Sequence, residues 1–207
     1  MNARSLILAG SDMLDSILPV VSMPPKPFRF TISQYRRLAI TDLFHDLKTM
    51  LIDGELYVMP LPEPPHDVGI TLTHNWLSRE FDNGYWVRNQ MGFDIGMDND
   101  PGPDLAVVKG TFRDFSRATP TKAEFIVEIA DSSLAIDTGR KAELYATAGV
   151  PDYWVLDVDN RQLHVFRDPQ PGGTFALHQL LNDAESIAPL ASPNANVTVR
   201  DLLPNPE

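Results

Sequence analysis

Cysteine is absent from the 207 residues, which excludes disulfides, thiolate zinc sites, iron–sulfur clusters and a thiol nucleophile together. Long apolar runs are lacking too. None approaches the ~18 residues of a bilayer-spanning helix. Leu6-Ile7-Leu8-Ala9 is cut short by Asp12 and Asp15, leaving no secretory h-region, so the expectation is a cytoplasmic chain with no membrane partner. Cations are scarce: 17 Lys and Arg against 28 Asp and Glu give a net charge of -11. That balance argues against nonspecific binding of nucleic acid, which needs Lys and Arg to neutralise phosphates. No Gly-x-Ser-x-Gly elbow, P-loop or dinucleotide fingerprint is present. Asp98-Asn99-Asp100 begins like a calcium loop, but the twelfth position is Lys109 where an EF-hand needs glutamate.

What is present suits one globular unit, since 43% of the residues are hydrophobic. The expected organisation is an N-terminal extension over 1–27, closed by Pro24-Pro25-Lys26-Pro27, and a single domain over 28–207. Charge is uneven along it. Lys109, Arg113, Arg117 and Lys122 face a single acid, Asp114, across 109–122, whereas 151–207 holds eight acids and three arginines. An acidic chain can thus present one basic edge, although scattered solvated charge gives the same count.

Hydrophobic spacing predicts a helix from Thr31 or Ser33 to about Lys48, with Tyr35, Leu38, Leu43, Phe44 and Leu47 as its stripe. Asp53-Gly54 marks a turn feeding a strand to Met59. A second helix over 66–81 is expected from Val68, Leu72, Trp76 and Leu77. Strands follow at 85–91, 104–108 and 124–130. A helix over 134–148 ends at Gly149 and Pro151, and strands at 153–158, 162–166 and 174–180 complete the chain. The strand–helix–strand run from Glu124 to Val158 implies a parallel pair with a right-handed crossover, hence an α/β layer fold.

Glu128 carries the most information. A carboxylate amid Phe125, Ile126, Val127 and Ile129 is costly unless it is paired or bound to a cation. Asp104 opens the preceding short strand. If those strands are neighbours, the two carboxylates converge at one end of the sheet. With a backbone carbonyl and waters they would form a hard-oxygen site suited to Mg²⁺. A Lys or Arg partner for Glu128, or a solvated strand end, would satisfy the burial rule as well. Asp137, Lys141 and Tyr145 follow at i, i+4 and i+8 on one helical face. Asp137 and Lys141 suit a surface ion pair. Alternatively Lys141 reaches the cation site, giving the parts for metal-assisted phosphodiester hydrolysis.

These residues, with Leu51-Ile52-Asp53-Gly54-Glu55, His66, Pro103-Asp104, the Val127–Leu134 stretch and Gly149-Val150-Pro151-Asp152-Tyr153-Trp154-Val155-Leu156-Asp157, resemble the Uma2 family of the PD-(D/E)xK nuclease superfamily. The resemblance runs from about Phe28 to Arg167. It implies a restriction-endonuclease-like core, a mixed central sheet flanked by helices. It also implies a DNA endonuclease using Mg²⁺ or Mn²⁺ on Asp104 and Glu128, with the Ile129 carbonyl as third ligand. Lys141 then positions the attacking water, Glu55 supplies an additional acid, and His66 lies near the substrate. Lys109, Arg113, Arg117 and Lys122 are the expected phosphate contacts, and a homodimer would cut both strands. Two positions depart from the pattern: Ala130 stands where the superfamily lysine usually sits, and Met50 stands where the family often has glutamate. The competing expectations are a non-catalytic acidic interaction or DNA-mimic module, favoured by the net charge, and a hydrolase of small phosphodiesters using the same site.

Overall fold

The computed structural model describes residues 26–44, 46–96 and 98–206; most of the expected N-terminal extension, including the Leu6–Ala9 run, lies outside them. Helix α1 (Ile32–Ala39) starts at a reciprocal cap, in which Gln34 N–H donates to Thr31 Oγ1 and Thr31 N–H to Gln34 Oε1. The helix ends well short of Lys48. Strand β1 (Lys48–Ile52) instead pairs antiparallel with β2 (Glu55–Met59), and that register takes Lys48 against Met59. Asp53 and Gly54 make the two-residue turn, both with positive φ (52° and 73°), the geometry that matches the twist of a hairpin. Of the expected helical stripe only Tyr35 is buried. Its hydroxyl donates to the Thr49 carbonyl oxygen at 2.8 Å and pins α1 to β1.

Helix α2 (Pro64–Glu80) carries Pro64 and Pro65 at its first turn, where a missing N–H costs nothing. Its buried face is His66, Gly69, Ile70, Thr73, Trp76 and Leu77. Expected Val68 is exposed. A glycine, a threonine and a histidine fill half of that face, so a stripe of large apolar residues does not mark it.

A six-stranded mixed sheet forms the centre, in the order β3 (Tyr85–Asn89), β4 (Leu105–Lys109), β5 (Phe125–Ala130), β6 (Asp152–Asp157), β7 (Gln162–Gln170) and β8 (Thr174–Asn182). Every neighbouring pair is antiparallel except β5 and β6. Between those two run α3 (Leu134–Ile136), a π-helical turn (Asp137–Lys141) and α4 (Ala142–Thr147). Two short strands, β9 (Ser186–Ile187) and β10 (Val197–Thr198), pair near the C-terminus.

Alternation along the strands builds two apolar layers. Leu105, Val107, Phe125, Val127, Ile129, Trp154 and Leu156 face α2 and the C-terminal segment. Ala106, Val108, Ile126, Ala130, Tyr153 and Val155 face Ala142 and Tyr145 of the crossover. Trp154, fully buried, stacks on Trp76 at 5.9 Å and meets Phe125 edge-on at 4.6 Å. Burying a side chain of this class contributes about 1.5–3 kcal/mol. The β1–β2 hairpin packs Met50 and Ile52 on Leu144. Met50 is thus a core residue. Among the described residues no helix is long and apolar enough to cross a membrane.

Candidate functional site

Strand register decides the site. Leu105 lies opposite Val127 and Ala106 opposite Ile126, so one further step sets Asp104 opposite Glu128. Both then project to the face covered by the crossover helices. The Asp104 N–H donates to Glu128 Oε2 at 3.1 Å, and the Ile129 N–H donates to Asp104 Oδ2 at 3.0 Å. The same register sets Pro103 opposite Ile129. Proline has no N–H with which to take up the Ile129 carbonyl oxygen.

The crossover supplies the countercharge. Lys141 Nζ lies 3.1 Å from Glu128 Oε1 and 2.9 Å from Asp137 Oδ1. The Tyr145 hydroxyl donates to Glu128 Oε1 at 2.7 Å. Asp137 is held in turn by the Ser133 hydroxyl, 2.5 Å from Oδ2, and its carbonyl oxygen accepts from the Tyr153 hydroxyl at 2.8 Å. Residues spaced by four drift around an ordinary α-helix. The π turn over Asp137–Lys141 widens one turn, and Asp137, Lys141 and Tyr145 all finish buried, Lys141 and Tyr145 on Glu128 and Asp137 on Lys141.

From the other side, α2 brings His66 Nε2 to 3.4 Å from Asp104 Oδ2. Lys48 Nζ on β1 and Gln90 Nε2 just past β3 each stand 3.5 Å from Oδ1, long for hydrogen bonds but close for charge. His66 Nδ1 is buried without a hydrogen-bond partner. A cavity of about 190 Å³ opens here, lined by Asp104, Lys141, His66, Lys48, Gln90 and Ser132 among others. Glu128, with no exposed surface, closes the wall behind Asp104.

The electrostatics divide the two carboxyl groups. Burial works to raise the Asp104 pKa, but the His66 contact and the charges of Lys141 and Lys48 outweigh it and hold the group well below the usual carboxylate range. Burial dominates at Glu128; Lys141 opposes it, Asp104 and Asp137 add to it, and the result is a carboxyl pushed up to about 8. Burial would lower the Lys141 pKa, yet three surrounding acids, Glu128 foremost, raise it. Asp104 is therefore the standing anion, Lys141 the standing cation, and Glu128 the group whose proton is negotiable.

Among the described residues no three His, Asp or Glu side chains converge as a ready cage for a metal. Two carboxylates, a main-chain oxygen and water are nevertheless the hard donors that Mg²⁺ takes, since it binds through one or two carboxylates and keeps much of its hydration. The residues present fit that ion.

Other residues singled out in the sequence fall elsewhere. Glu55 is not brought to the cavity: it is half-exposed and pairs with Arg29 at 2.7 Å. Lys109 pairs with Glu124 at 3.1 Å, the Arg113 guanidinium lies 5.5 Å from the Phe112 ring centre, and Arg113, Arg117 and Lys122 are exposed. Their loop leaves β4 at the end remote from Asp104, about 17 Å away at ~3.4 Å per residue. It then folds back until the Pro120 carbonyl oxygen accepts from Asp94 N–H at 3.3 Å. Lys48 and Gln90 had no signal in the sequence, because Lys48 fell inside an expected helix and Gln90 inside an undistinguished strand.

A family model, Uma2, described as "Putative restriction endonuclease", matches residues 32–200. No curated protein matches the sequence. Among solved structures the chain is similar to "a putative nuclease belonging to DUF820 from Anabaena variabilis ATCC 29413", with 16% identity, a TM-score of 0.66, and coverage of 84% of this chain and 97% of that one. At such identity the likeness is one of fold.

Proposed function

The chain belongs to the Uma2 family, and on that premise we propose that it is a Mg²⁺- or Mn²⁺-dependent endonuclease hydrolysing DNA phosphodiester bonds at the cavity beside Asp104. The observation that carries this reading is the cross-strand tie between Asp104 and Glu128 with Lys141 at 3.1 Å. Asp104, Glu128 and the Ile129 carbonyl oxygen would hold the ion. When bound, the cation acidifies a water and neutralises charge developing on the phosphate.

The chain's own groups do the rest. Lys141, held between Asp137 and Glu128, presents an ammonium that orients the attacking water and steadies the oxygens around phosphorus. Hydrolysis joins the water oxygen to phosphorus and releases one ester oxygen, which leaves with a proton. Glu128, held by Lys141 at 3.1 Å and by the Tyr145 hydroxyl at 2.7 Å, would give up its own proton for an ion to bind. His66 lines the cavity and donates toward Asp104, which orients the carboxylate. Cutting both strands of a duplex calls for two such centres, which a homodimer would supply.

The test is cleavage of supercoiled plasmid with Mg²⁺, Mn²⁺ or EDTA by wild type, Asp104→Ala and Glu128→Ala, with circular dichroism to verify folding. Metal-dependent nicking abolished in both folded variants is the expected result. Full activity in either variant would refute the assignment. Calorimetric titration with Mg²⁺ and Mn²⁺ separates the remaining reading: no heat and no cleavage would leave an acidic interaction module on the same fold.

A further inference from the structure

A second concavity lies on the same sheet face, outside the carboxylate site. It has a volume of about 230 Å³ and is lined by Trp86, Arg88, Phe115, Arg117, Thr119 and Pro120. Trp86 and Arg88 sit on β3, opposite Val108 and Ala106. Continuing that register sets Gln90 beside Asp104. At ~3.4 Å per residue, Arg88 lies roughly 7 Å and Trp86 roughly 14 Å along the strand from the level of Asp104.

Arg88 is the unusual member. It is 5% exposed, and a guanidinium offers five N–H donors. One nitrogen donates to the Gly92 carbonyl oxygen at 2.9 Å, while Nε and Nη1 have no hydrogen-bond partner. Its carbon lies 5.0 Å from the Trp86 ring centre. Trp86 stacks on Phe115, ring centres 5.9 Å apart at 29°. Arg117, exposed, stands at the rim. A buried cation short of acceptors, two half-buried rings and a free cation at the mouth are the parts of a nucleotide subsite. The rings offer a stacking surface for a base and the guanidinium groups offer charge for its phosphate.

Resting on the nuclease reading, we infer that this concavity holds one nucleotide of a single-stranded DNA segment whose neighbouring phosphates run along β3 to Asp104. The substrate class is then DNA that is single-stranded, or locally unpaired, next to the cut. A duplex keeps its bases stacked inside and cannot reach between Trp86, Phe115 and the Arg88 floor.

Binding of fluorescein-labelled dT₁₀ by the full chain in EDTA tests this without cleavage, read by anisotropy and by tryptophan quenching. Trp86 is half-buried, whereas Trp76 and Trp154 are buried, so quenching reports mainly the subsite. Phe115→Ala and Arg117→Ala should each weaken binding roughly tenfold or more, and Arg117→Ala should lower the salt slope by about one. Arg79→Ala, which removes an equal charge from α2, should change neither. Arg117 is exposed and Phe115 half-buried, so these variants disturb the fold less than Arg88→Met, and circular dichroism verifies that Phe115→Ala is folded. Unchanged dT₁₀ binding in both variants overturns the inference, as does duplex or rU₁₀ binding as tight as dT₁₀. If plasmid nicking that depends on Asp104 persists while those variants behave as wild type, the subsite fails and the nuclease stands. If dT₁₀ binds as expected but no metal supports cleavage, the subsite stands and the nuclease fails.

Discussion

Asp104 and Glu128 hold each other in place across two strands: a main-chain N–H beside each carboxyl group donates to the other, Asp104 N–H to Glu128 and Ile129 N–H to Asp104. The orientation of the pair is therefore written into the backbone register. Replacing either acid removes one of these hydrogen bonds as well as a charge.

Breaking the buried charge group should be costly to stability. Lys141→Met leaves Glu128 and Asp137 facing each other without a cation, and losing one member of a buried pair costs about 3–5 kcal/mol. For a chain of this size that lowers Tm by roughly 6–20 °C. Adding Glu128→Gln should recover part of the loss. Differential scanning calorimetry of the two single variants and the double closes the cycle, and simple additivity would mean that the pair is not coupled.

Glu128 also sets a pH dependence whose sign follows from its raised pKa. The folded chain keeps a proton at Glu128 that the unfolded chain sheds from near the ordinary value of 4.5, the folded value being about 8. Its contribution to stability is full below the unfolded value and is lost as pH rises through the folded one. His66, also raised, acts in the same direction. Urea midpoints should therefore fall between pH 5 and 8.5, and Glu128→Gln should flatten the curve. Metal affinity runs the other way: a cation competes with that proton, so calorimetric Kd should tighten by up to about tenfold per pH unit toward pH 8.

Lys48 Nζ, 3.5 Å from Asp104 Oδ1, would compete with an ion bound there. Lys48→Gln should tighten Mg²⁺ binding severalfold while weakening DNA binding, because the same ammonium lines the cavity that a phosphate would enter. Parallel titrations with metal and with an uncleaved oligonucleotide check both signs. Equal effects of one sign would argue against its position between the two ligands.

Gly69 lets α2 approach the sheet. A Cβ there would stand 2.9 Å from Ile129 Cγ2, and branched Ile129 has little freedom to move. Gly69→Ala should cost about 1–3 kcal/mol. It should also depress cleavage beyond the effect of stability, since Ile129 N–H is the donor to Asp104. Chemical denaturation together with nicking assays below the transition measures the two separately.

The carboxylate pair was legible because Glu128 breaks an otherwise apolar strand and Asp104 follows a proline at a strand's start. The helical trio was legible from its spacing of four. The π turn that brings all three of its members inward was not, since nothing in Asp-Thr-Gly-Arg-Lys distinguishes five residues of π from α. The first helix was overextended because Leu43 and Leu47 fit a helical period, although both are exposed. Hairpin pairing with Met59, a contact between distant residues, took Lys48 instead. Glu55 matched a pattern, but its partner Arg29 lies 26 residues earlier, and such a pairing leaves no trace in local spacing.

The lone parallel pairing in the sheet has a kinetic consequence. β6, β7 and β8 are joined by short turns and can zip together early, but β5 meets β6 only after the chain has travelled from Ile126 to Tyr153. Closing that longer loop costs entropy before any contact rewards it. Lys141 and Tyr145 ride on the connecting segment, so the same late event that pairs β5 with β6 delivers to Glu128 the ammonium of one and the hydroxyl of the other. Refolding followed by the return of metal binding should accordingly lag behind the return of β-sheet signal.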